Sequence, residues 1–350
     1  MKIQSYLNEY ELHYHDDFSF METLGDSKGL FVIDRKVNGL YSHVFDKYIK
    51  PDNIILVDAI EEEKTIETAL AICQKAMGFK EKRSLELIAV GGGIIQDIVG
   101  FAANILYRGV NLILVPTTLL AQADSCIGSK NSLNFLDSKN MLGTFYPPKH
   151  IHVCFQFLPT LSDVDYNSGL GEIIKFNIMS DPDKLPCFEK DIGKLIARDY
   201  NLLKDYIHTS HKFKKEFIEV DEFDLKERRL LNYAHTFGHA YEVISQYAIP
   251  HGLAIVLGMI TSNWISVSRG ILSKNMADRI EKLCLKIYNA PPLEYNDVDS
   301  VIQILMSDKK RQGAAIADVL MADDASLSVV QDVSFDEAVA AIDYTRDVIA

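Results

Sequence analysis

The alternation of short apolar runs with helix-like patterns over about the first 155 residues constrains the fold most strongly. Strand-like runs lie at residues 30–33, 54–58, 85–90, 112–115 and 151–155. Stretches with helical periodicity, such as residues 65–78 and 94–106, separate them. Strands joined by helices of this length pair in parallel through crossovers. We therefore predict that residues 1–158 form a doubly wound α/β domain.

The rest of the chain has a different pattern. Apolar positions recur with helical spacing at residues 169–179, 202–219, 230–246, 253–268, 276–287 and 298–306. A β-hairpin is predicted at residues 316–321 and 327–330, and a last helix at residues 335–348. Residues 159–350 are thus expected to form a mostly α-helical domain.

Charge and cysteine content exclude several classes of protein. A formal net charge of -13 disfavours nucleic acid as a partner, because a phosphate backbone requires a basic surface. The five cysteines are odd in number and form no Cys-x-x-Cys pair, which is typical of a reducing compartment without thiolate metal sites. We see no signal-peptide pattern at the N-terminus and no apolar run of roughly 18 residues, and therefore expect a soluble, cytoplasmic protein.

A run of three glycines, Gly91, Gly92 and Gly93, joins a predicted strand to a predicted helix. Glycines at such a turn let the backbone approach a diphosphate, and the helix N-terminus offers free N–H groups to it. The alternative is a tight turn that requires positive φ. Thr117 and Thr118 follow the next strand and could place hydroxyls against the same nucleotide.

Three histidines and a glutamate in the helical part have the composition of a metal site. His235 and His239 lie four residues apart on one helical face, and His251 precedes the next helix. Glu172 interrupts an apolar stripe and is a plausible carboxylate ligand. Spacing does not choose between His235 and His239. The alternative is that these histidines cap helices or lie half-exposed.

Ordered sequence blocks resemble the 3-dehydroquinate synthases, which are sugar phosphate cyclases. The first is GGGIIQDIVGFAANILYRGVNLILVPTTLLAQADSCIGSKNSLNF, and it is followed by SGLGEIIK, LLNYAHTFGHAYE, HGLAIVLGM and SDKK. The blocks extend from about residue 58 to residue 312, so the resemblance covers most of the chain.

The resemblance implies a homodimeric, phosphate-releasing carbon–oxygen lyase of the shikimate pathway, which serves aromatic amino acid biosynthesis. It implies an NAD-binding domain followed by a metal-binding domain, with zinc as the expected metal and cobalt as an alternative. The expected substrate is 3-deoxy-arabino-heptulosonate 7-phosphate. In this chemistry NAD transiently oxidises a ring hydroxyl, phosphate is eliminated, and the returned hydride precedes ring opening and an aldol closure.

The resemblance also assigns roles to individual residues. The implied metal ligands are Glu172, His235 and His251. The implied NAD contacts are Asp58, Glu61, Lys64, Gly91, Gly92, Gly93, Asp97, Thr117, Thr118, Lys130 and Lys139. The implied catalytic residues are Lys130, Lys175, Lys214, Arg228, Asn232 and His239, and the other substrate contacts are Arg108, Asp124, Asn140, Lys309 and Lys310. Arg108 would reach the phosphate bound to the neighbouring subunit.

These positive residues reconcile an acidic protein with an anionic substrate, because a phosphate and a carboxylate must both be paired when water is excluded. Lys214 and Arg228 are expected to hold the carboxylate. The chain departs from the family pattern at Gln96, Ser129, Asn131, Ala234 and Leu253, which leaves the substrate open. Alternatives are a cyclase for a neutral, amino-substituted or other keto-deoxy sugar phosphate, a metal-dependent alcohol dehydrogenase of the same architecture, and an inactive relative.

Overall fold

The computed structural model describes residues 1–26, 28–80, 82, 84–136, 138–294, 298–306 and 315–350. The chain divides into two compact units. The first contains Met1–Leu161 and Lys215–Phe223, and the second contains Ser162–Lys214 and Asp224–Ala350.

The first unit is built on a sheet that has seven strands within the described residues. Those strands are β1 (Lys2–Ile3), β2 (Tyr10–His15), β3 (Gly29–Asp34), β4 (Ile54–Val57), β5 (Glu86–Gly91), β6 (Asn111–Pro116) and β9 (His150–Cys154). Their order in the sheet is β1-β2-β9-β6-β5-β3-β4. β1 pairs antiparallel with β2, and the other neighbours are parallel. A separate antiparallel hairpin is formed by β7 (Lys130–Phe135) and β8 (Ser138–Phe145).

Helices cover this sheet. They are α1 (Phe20–Gly25), α2 (Arg35–Tyr48), α3 (Ile66–Ala76) and α4 (Gly93–Ile105). One apolar cluster joins α1 and α2 to strand residues that include Phe31, Ile88 and Ile113. Strands buried on both faces read as continuous runs of valine, isoleucine and leucine, which is why β3, β5 and β6 were visible in the sequence.

The second unit is mostly helical. Its helices are α5 (Asp163–Ser180), α6 (Leu185–Ile196), α7 (Tyr200–Val220, whose last turns belong to the first unit), α8 (His235–Ile244), α9 (His251–Ser268), α10 (Lys274–Ile287), α11 (Val298–Met306) and α12 (Phe335–Ile349). β10 (Ile316–Met321) and β11 (Leu327–Val333) form the antiparallel hairpin that the sequence predicted. The α/β fold followed by a helical part is confirmed.

Helix α9 lies at the centre of the second unit. It packs against α5, α8, α10 and α12. Within the described residues it is the one helix that is long and apolar enough to cross a membrane by length and composition, with a mean hydropathy of 1.2. Since 78% of that window is buried inside the protein, α9 has the burial of a core helix.

The predicted helix over residues 230–246 is wrong at its start. Residues Glu227–Asn232 form a 3-10 turn, and α8 begins only at His235. Ala234 intervenes with a φ of 69°, a left-handed conformation that interrupts the helix and costs about 1 kcal/mol for a residue with a Cβ. The family pattern has glycine here, so the chain carries this strain immediately before a candidate metal ligand.

Candidate metal and nucleotide sites

Glycines at helix crossings position the metal-site residues of the second unit. A Cβ at Gly171 of α5 would lie 2.2 Å from the carbonyl oxygen of Gly252 in α9, and a Cβ at Gly252 would lie 1.7 Å from that of Ser168. A Cβ at Gly258 would lie 2.0 Å from the oxygen of Ala234. Because α5, α8 and α9 can approach this closely, the residues next to these glycines come together.

The three residues brought together are Glu172, His235 and His251, each of which offers a ligand atom within 4.8 Å of the others. Oε1 of Glu172 lies 3.3 Å from Nε2 of His251 and 3.7 Å from Nε2 of His235. Ligand atoms around a tetrahedral ion with bonds of about 2.0–2.1 Å are separated by about 3.3 Å. The spacing therefore suits one small divalent cation.

The unused ring nitrogens of both histidines also fit a metal site. Nδ1 of His235 lies 3.1 Å from the carbonyl oxygen of Tyr233. Nδ1 of His251 lies 3.2 Å from Oε2 of Glu242. Metal-bound imidazoles ordinarily donate their other N–H to a carbonyl or carboxylate, which fixes the tautomer and the ring orientation. Both rings thus present Nε2 toward Glu172.

Electrostatics at this cluster favour a bound cation. Burial alone would raise the pKa of Glu172, but the positive charge of Lys175 and the two histidines hold this pKa well below its ordinary value. Burial and the charge of Lys175 hold the pKa of His235 well below its usual range. Burial would lower the pKa of His251, but Glu242 and Glu172 raise it to about 10. Two carboxylates around one imidazole stabilise positive charge at this point.

Glu172 is fully buried, yet neither of its carboxylate oxygens has a hydrogen bond of acceptable geometry among the described residues. Its charge is balanced by Nζ of Lys175 at 2.8 Å, and that lysine is itself 1% exposed. A buried carboxylate with unused lone pairs is costly unless a cation is coordinated there. The residues present therefore fit a divalent metal.

A second overlapping set contains His239, Glu242 and His251. The His239 side chain is 49% exposed, and its Nε2 lies 3.9 Å from Oε2 of Glu242. Since Glu242 also contacts the Nδ1 of His251, it is better placed to orient that ring than to replace Glu172. Sequence reasoning missed Glu242, although its spacing from His235 and His239 puts all three on one helical face.

Replacing Glu242 by glutamine should lower the affinity for zinc by about 10- to 100-fold, because His251 loses the carboxylate that fixes its orientation. Competition with a chromophoric chelator would measure this change. Glu294→Gln, which alters an exposed carboxylate of the same unit, is the matched control and should leave the affinity unchanged. An unaltered affinity in Glu242→Gln would show that Glu242 does not support the metal site.

Two lysines of the predicted catalytic set have their ammonium groups near the same aromatic ring, that of Phe176. Nζ of Lys175 lies 4.5 Å from the centroid of Phe176, and Nζ of Lys214 lies 6.0 Å from it. Lys175 also donates to the carbonyl oxygen of Leu231 at 3.1 Å. Lys214 is 8% exposed. The structure thus brings two buried ammonium groups to the Phe176 ring, beside Glu172.

Asn232 and His239 line a cavity of about 180 Å³ in the second unit, together with His235, Arg229 and Asp318. Burial raises the pKa of Asp318 to about 7, and its Oδ2 accepts a hydrogen bond from Ser262 at 2.8 Å. Arg228 is buried, with 6% exposure, in the preceding 3-10 turn. Lys309 and Lys310 lie outside the described residues.

In the first unit, the glycine loop joins β5 to α4 as predicted. Gly92 is the N-cap of α4 with a φ of −79°, so the positive-φ explanation for this glycine is wrong. Close packing explains the glycines instead: a Cβ at Gly91 would lie 2.5 Å from Cγ1 of Ile95, and one at Gly92 would lie 3.1 Å from Cγ2 of Thr118. Oγ1 of Thr117 is buried and has no hydrogen-bond partner among the described residues.

A polar network lies beside this loop. Nζ of Lys64 is 2.5 Å from Oδ2 of Asp97 and donates to Oδ1 of Asn140 at 2.7 Å. Asp97 accepts a further bond from the backbone N–H of Ser132 at 3.1 Å. Asn140, predicted as a substrate contact, therefore lies with two predicted NAD contacts. Its φ of 55° is left-handed, a conformation that asparagine tolerates better than most residues.

Two further acidic residues of the NAD set are in ion pairs. Glu61 pairs with Lys139 at 3.2 Å and accepts a hydrogen bond from Asn134 at 2.9 Å. Asp58 pairs with Arg35 at 2.9 Å on the surface. Asn134 and Arg35 were not anticipated from the sequence, because nothing in their local pattern marks them.

The remaining predicted contacts of the first unit lie in different places. Lys130 lines a cavity of about 70 Å³ together with Gly93, Gln96, Asp97 and Asn131. Asp124 lies in the short π-helical turn Ala121–Ser125. Arg108 is exposed in the 3-10 turn Leu106–Arg108 that follows α4, with a φ of 69°. The structure does not by itself join Arg108 to any of the other predicted contacts.

The departures from the family pattern have structural partners of their own. Gln96 accepts a hydrogen bond from Ser125 at 2.8 Å. Asn131 donates to the carbonyl oxygens of Ser129 and Tyr146 at 2.9 and 3.1 Å, and a Cβ at Gly100 would lie 1.9 Å from its Oδ1. Leu253 is fully buried in α9. Gln96 and Asn131 thus line the cavity next to Lys130, whereas Leu253 belongs to the core.

The fold and these sites define a class of protein. Such a protein has, in one chain, an α/β unit with a glycine loop and a helical unit in which one glutamate and two histidines are arranged to bind a metal. Residues 54–168 match the family described as 3-dehydroquinate synthase N-terminal, and residues 169–311 match that described as 3-dehydroquinate synthase C-terminal. The 3-dehydroquinate synthase of Clostridium tetani is 34% identical over 323 residues, which cover 91% of this chain and 86% of that protein.

The chain belongs to the 3-dehydroquinate synthase family, and we class it as an enzyme of the phosphate-eliminating carbon–oxygen lyase type. Solved structures share its fold. The 2-epi-5-epi-valiolone synthase of Streptomyces hygroscopicus, solved with NAD+ and Zn2+, has a TM-score of 0.87 at 24% identity over 97% of each chain. A 2-deoxy-scyllo-inosose synthase, solved with carbaglucose-6-phosphate, NAD+ and Co2+, has a TM-score of 0.84 at 23% identity over 99% of each chain.

Proposed function

We propose that this enzyme converts 3-deoxy-arabino-heptulosonate 7-phosphate into a carbocycle with release of phosphate, using NAD and a divalent metal. The observation that carries the proposal is the cluster of Glu172, Lys175, His235 and His251, in which Glu172 and Lys175 are buried. Such a combination of a metal-ligand set with a lysine is suited to developing negative charge on a substrate oxygen. The family relationship supports the reaction type.

Glu172, His235 and His251 would hold the metal, and Glu242 would orient His251. When bound, a divalent metal stabilises an oxyanion at the carbon that is oxidised. Lys175, which is held at 2.8 Å from Glu172, adds a fixed positive charge beside that position. Because the ammonium group is buried, its field is screened less than it would be at the surface.

The glycine loop and the N-terminus of α4 would hold the diphosphate of NAD, with Thr117 and Thr118 beside it. NAD, when bound, accepts a hydride and returns it, so the cofactor is regenerated. The buried Oγ1 of Thr117, which has no hydrogen-bond partner among the described residues, supports a polar ligand at this loop. The remaining nucleotide contacts would be Asp97, Lys64, Glu61, Lys139 and Asp58.

Positive side chains would bind the substrate anions. Lys214 and Arg228, which are both less than 9% exposed, would hold the carboxylate, the role that the family resemblance implies for them. The remaining substrate contacts would be Lys130, Asp124, Asn140, Asn232, His239 and the lysines at positions 309 and 310. This allocation favours a sugar acid over a neutral heptulose phosphate.

We further propose that zinc is the metal, that the enzyme is a homodimer in which Arg108 reaches the neighbouring site, and that it acts in the cytoplasm in the shikimate pathway. The exposure of Arg108 in the turn after α4 is compatible with a contact to a second subunit. Five free cysteines, of which four are buried, are typical of a reducing compartment.

The test is to incubate the purified enzyme with NAD, zinc and 3-deoxy-arabino-heptulosonate 7-phosphate, and to follow phosphate and NADH together. We expect stoichiometric phosphate release without net accumulation of NADH. Accumulating NADH would indicate a dehydrogenase instead. Absence of phosphate release across acidic, neutral and amino-substituted sugar phosphates would indicate an inactive relative.

A related cyclase with another substrate is the second candidate. Gln96 and Asn131, which depart from the family pattern, line the cavity that contains Lys130. A larger kcat/KM for an amino-substituted or other keto-deoxy sugar acid phosphate than for the heptulosonate would favour this alternative. Comparison of Arg228→Ala with the wild type would separate acidic from neutral substrates.

A further inference from the structure

Four histidines lie together in the first unit, away from the glycine loop and the residues of the proposed reaction. They are His13 and His15 on β2, and His150 and His152 on β9. The parallel register pairs Glu11 with His150 and His13 with His152. Because side chains alternate along a strand, Glu11, His13 and His15 share one face of β2, and His150 and His152 lie on the same face of β9.

The two imidazole pairs on this face differ in their geometry. Nε2 of His15 lies 3.0 Å from Nδ1 of His152, which is the distance of an ordinary N–H···N hydrogen bond. Nε2 of His13 lies 3.4 Å from Nδ1 of His150, beyond the usual range of about 2.7–3.2 Å. That distance is close to the separation of about 3.3 Å between two ligand atoms of a tetrahedral ion.

A carboxylate completes the second pair. Oε2 of Glu11 lies 3.5 Å from the same Nε2 of His13, and the ligand atoms of Glu11, His13 and His150 all lie within 4.8 Å of one another. The other carboxylate oxygen of Glu11, Oε1, lies 3.5 Å from Nζ of the exposed Lys2. Oε2 is therefore the oxygen that faces the histidines. Two imidazoles and one carboxylate are a donor set typical of zinc and similar divalent ions.

The two ends of this face of β2 and β9 differ in exposure and packing. The Glu11 and His13 side chains are 37% and 38% exposed, which allows an ion to enter and leaves room for water as a further ligand. The other end is closed, because Phe20 stacks on His15 with ring centroids 4.3 Å apart and on His152 at 5.3 Å. Stacking of His13 on His152 at 5.2 Å holds the His13 ring in place.

We propose that Glu11, His13 and His150 form a second metal site, which takes a zinc-class divalent cation through Oε2, Nε2 and Nδ1 respectively. The ion joins β2 to β9 and thereby strengthens the attachment of β2, and of β1 beyond it, to the sheet. The site shares no residue with the Glu172, His235 and His251 cluster, so each site is open to a separate test.

The experiment is equilibrium dialysis of the chelator-stripped full-length protein against Zn²⁺, with bound zinc measured by mass spectrometry. The exposed Cys187 is alkylated beforehand, so that its thiol does not bind zinc. We expect two equivalents for the wild type, one for His13→Ala, one for His251→Ala, and none for the double variant. His43→Ala removes an exposed imidazole of the same unit and should keep both equivalents.

The pattern of losses distinguishes this proposal from the proposed function. If His13→Ala binds as much zinc as the wild type, the second site is rejected, whatever His251→Ala does. If His251→Ala retains the wild-type stoichiometry while His13→Ala loses one equivalent, the catalytic metal is rejected and the second site stands. Far-ultraviolet circular dichroism verifies folding, and His150→Gln serves as a second variant if His13→Ala does not fold.

A thermal measurement provides an independent readout. Zinc that binds only the folded protein stabilises it by RT ln(1 + [Zn]/Kd), which is about 2.7 kcal/mol at 100 times Kd. We therefore expect zinc to raise the Tm of His251→Ala, and to leave the Tm of the double variant unchanged. An equal zinc-induced rise in both proteins would overturn the proposal.

Discussion

His251→Ala is expected to lower the rate of phosphate release by at least about 10³-fold, because it removes a ligand of the metal that stabilises developing negative charge. The change also leaves Glu172, which is fully buried, with one fewer positive partner. Steady-state kinetics at saturating zinc and NAD would measure the loss. Zinc content, determined on the same sample, would show whether the activity falls together with the metal.

Folding should survive this substitution. His251 is at the first position of α9, and its side chain is 28% exposed, so alanine there leaves the core of the helix intact. His43→Ala, an exposed histidine of the first unit, is the control and should retain full activity. Wild-type turnover in a correctly folded His251→Ala protein would reject Glu172, His235 and His251 as the ligand set.

Arg228→Ala is expected to raise the KM for the sugar acid and to lower kcat/KM by roughly 30-fold to several thousand-fold. That loss corresponds to about 2–5 kcal/mol of transition-state stabilisation. The guanidinium is buried, with 6% exposure, so its removal would leave the substrate carboxylate with Lys214 as its one remaining charged partner, where little water can replace the lost contact. Initial rates of phosphate release over a range of substrate concentrations would give both constants.

Lys226→Ala is the matched control for Arg228, because Lys226 is an exposed cation just before the same 3-10 turn. It should change kcat/KM by less than about threefold, as expected for an exposed charge. The kcat/KM for a neutral heptulose phosphate should change little in Arg228→Ala. If kcat/KM for the acid is unchanged, the carboxylate binds elsewhere or the true substrate has none.

Much of the fold was predictable because its signals are local. The buried strands β3, β5 and β6 are runs of β-branched and aliphatic residues, and α10 and α11 repeat apolar positions with helical spacing. The predicted bounds differ from the observed ones mostly by one to three residues, although α5 begins six residues earlier than expected. End effects of that size are normal, since helix ends depend on capping and tertiary contacts.

Several elements were missed by sequence reasoning. β2 alternates apolar residues with glutamate and histidine, a pattern typical of a half-buried strand that the prediction overlooked. Its place in the sheet depends on pairing with β9, 139 positions further along the chain. The β7–β8 hairpin is largely polar and exposed on one side, so its local signal is weak. Non-local pairing is invisible in a window of sequence, so the pairing of β2 with β9 was found only in the folded chain.

By itself, the sequence determined the class of fold, the family, and the residue types of the metal cluster, because periodicity and motif order are properties of the chain alone. The tertiary structure decided which of those residues meet. Glu172 reaches His251 because Gly171 and Gly252 let α5 and α9 touch, and Glu242 acquires a role only once α8 packs on α9. The same dependence on packing brings Glu11 and His13 to His150, since only the sheet joins the first strands to the ninth.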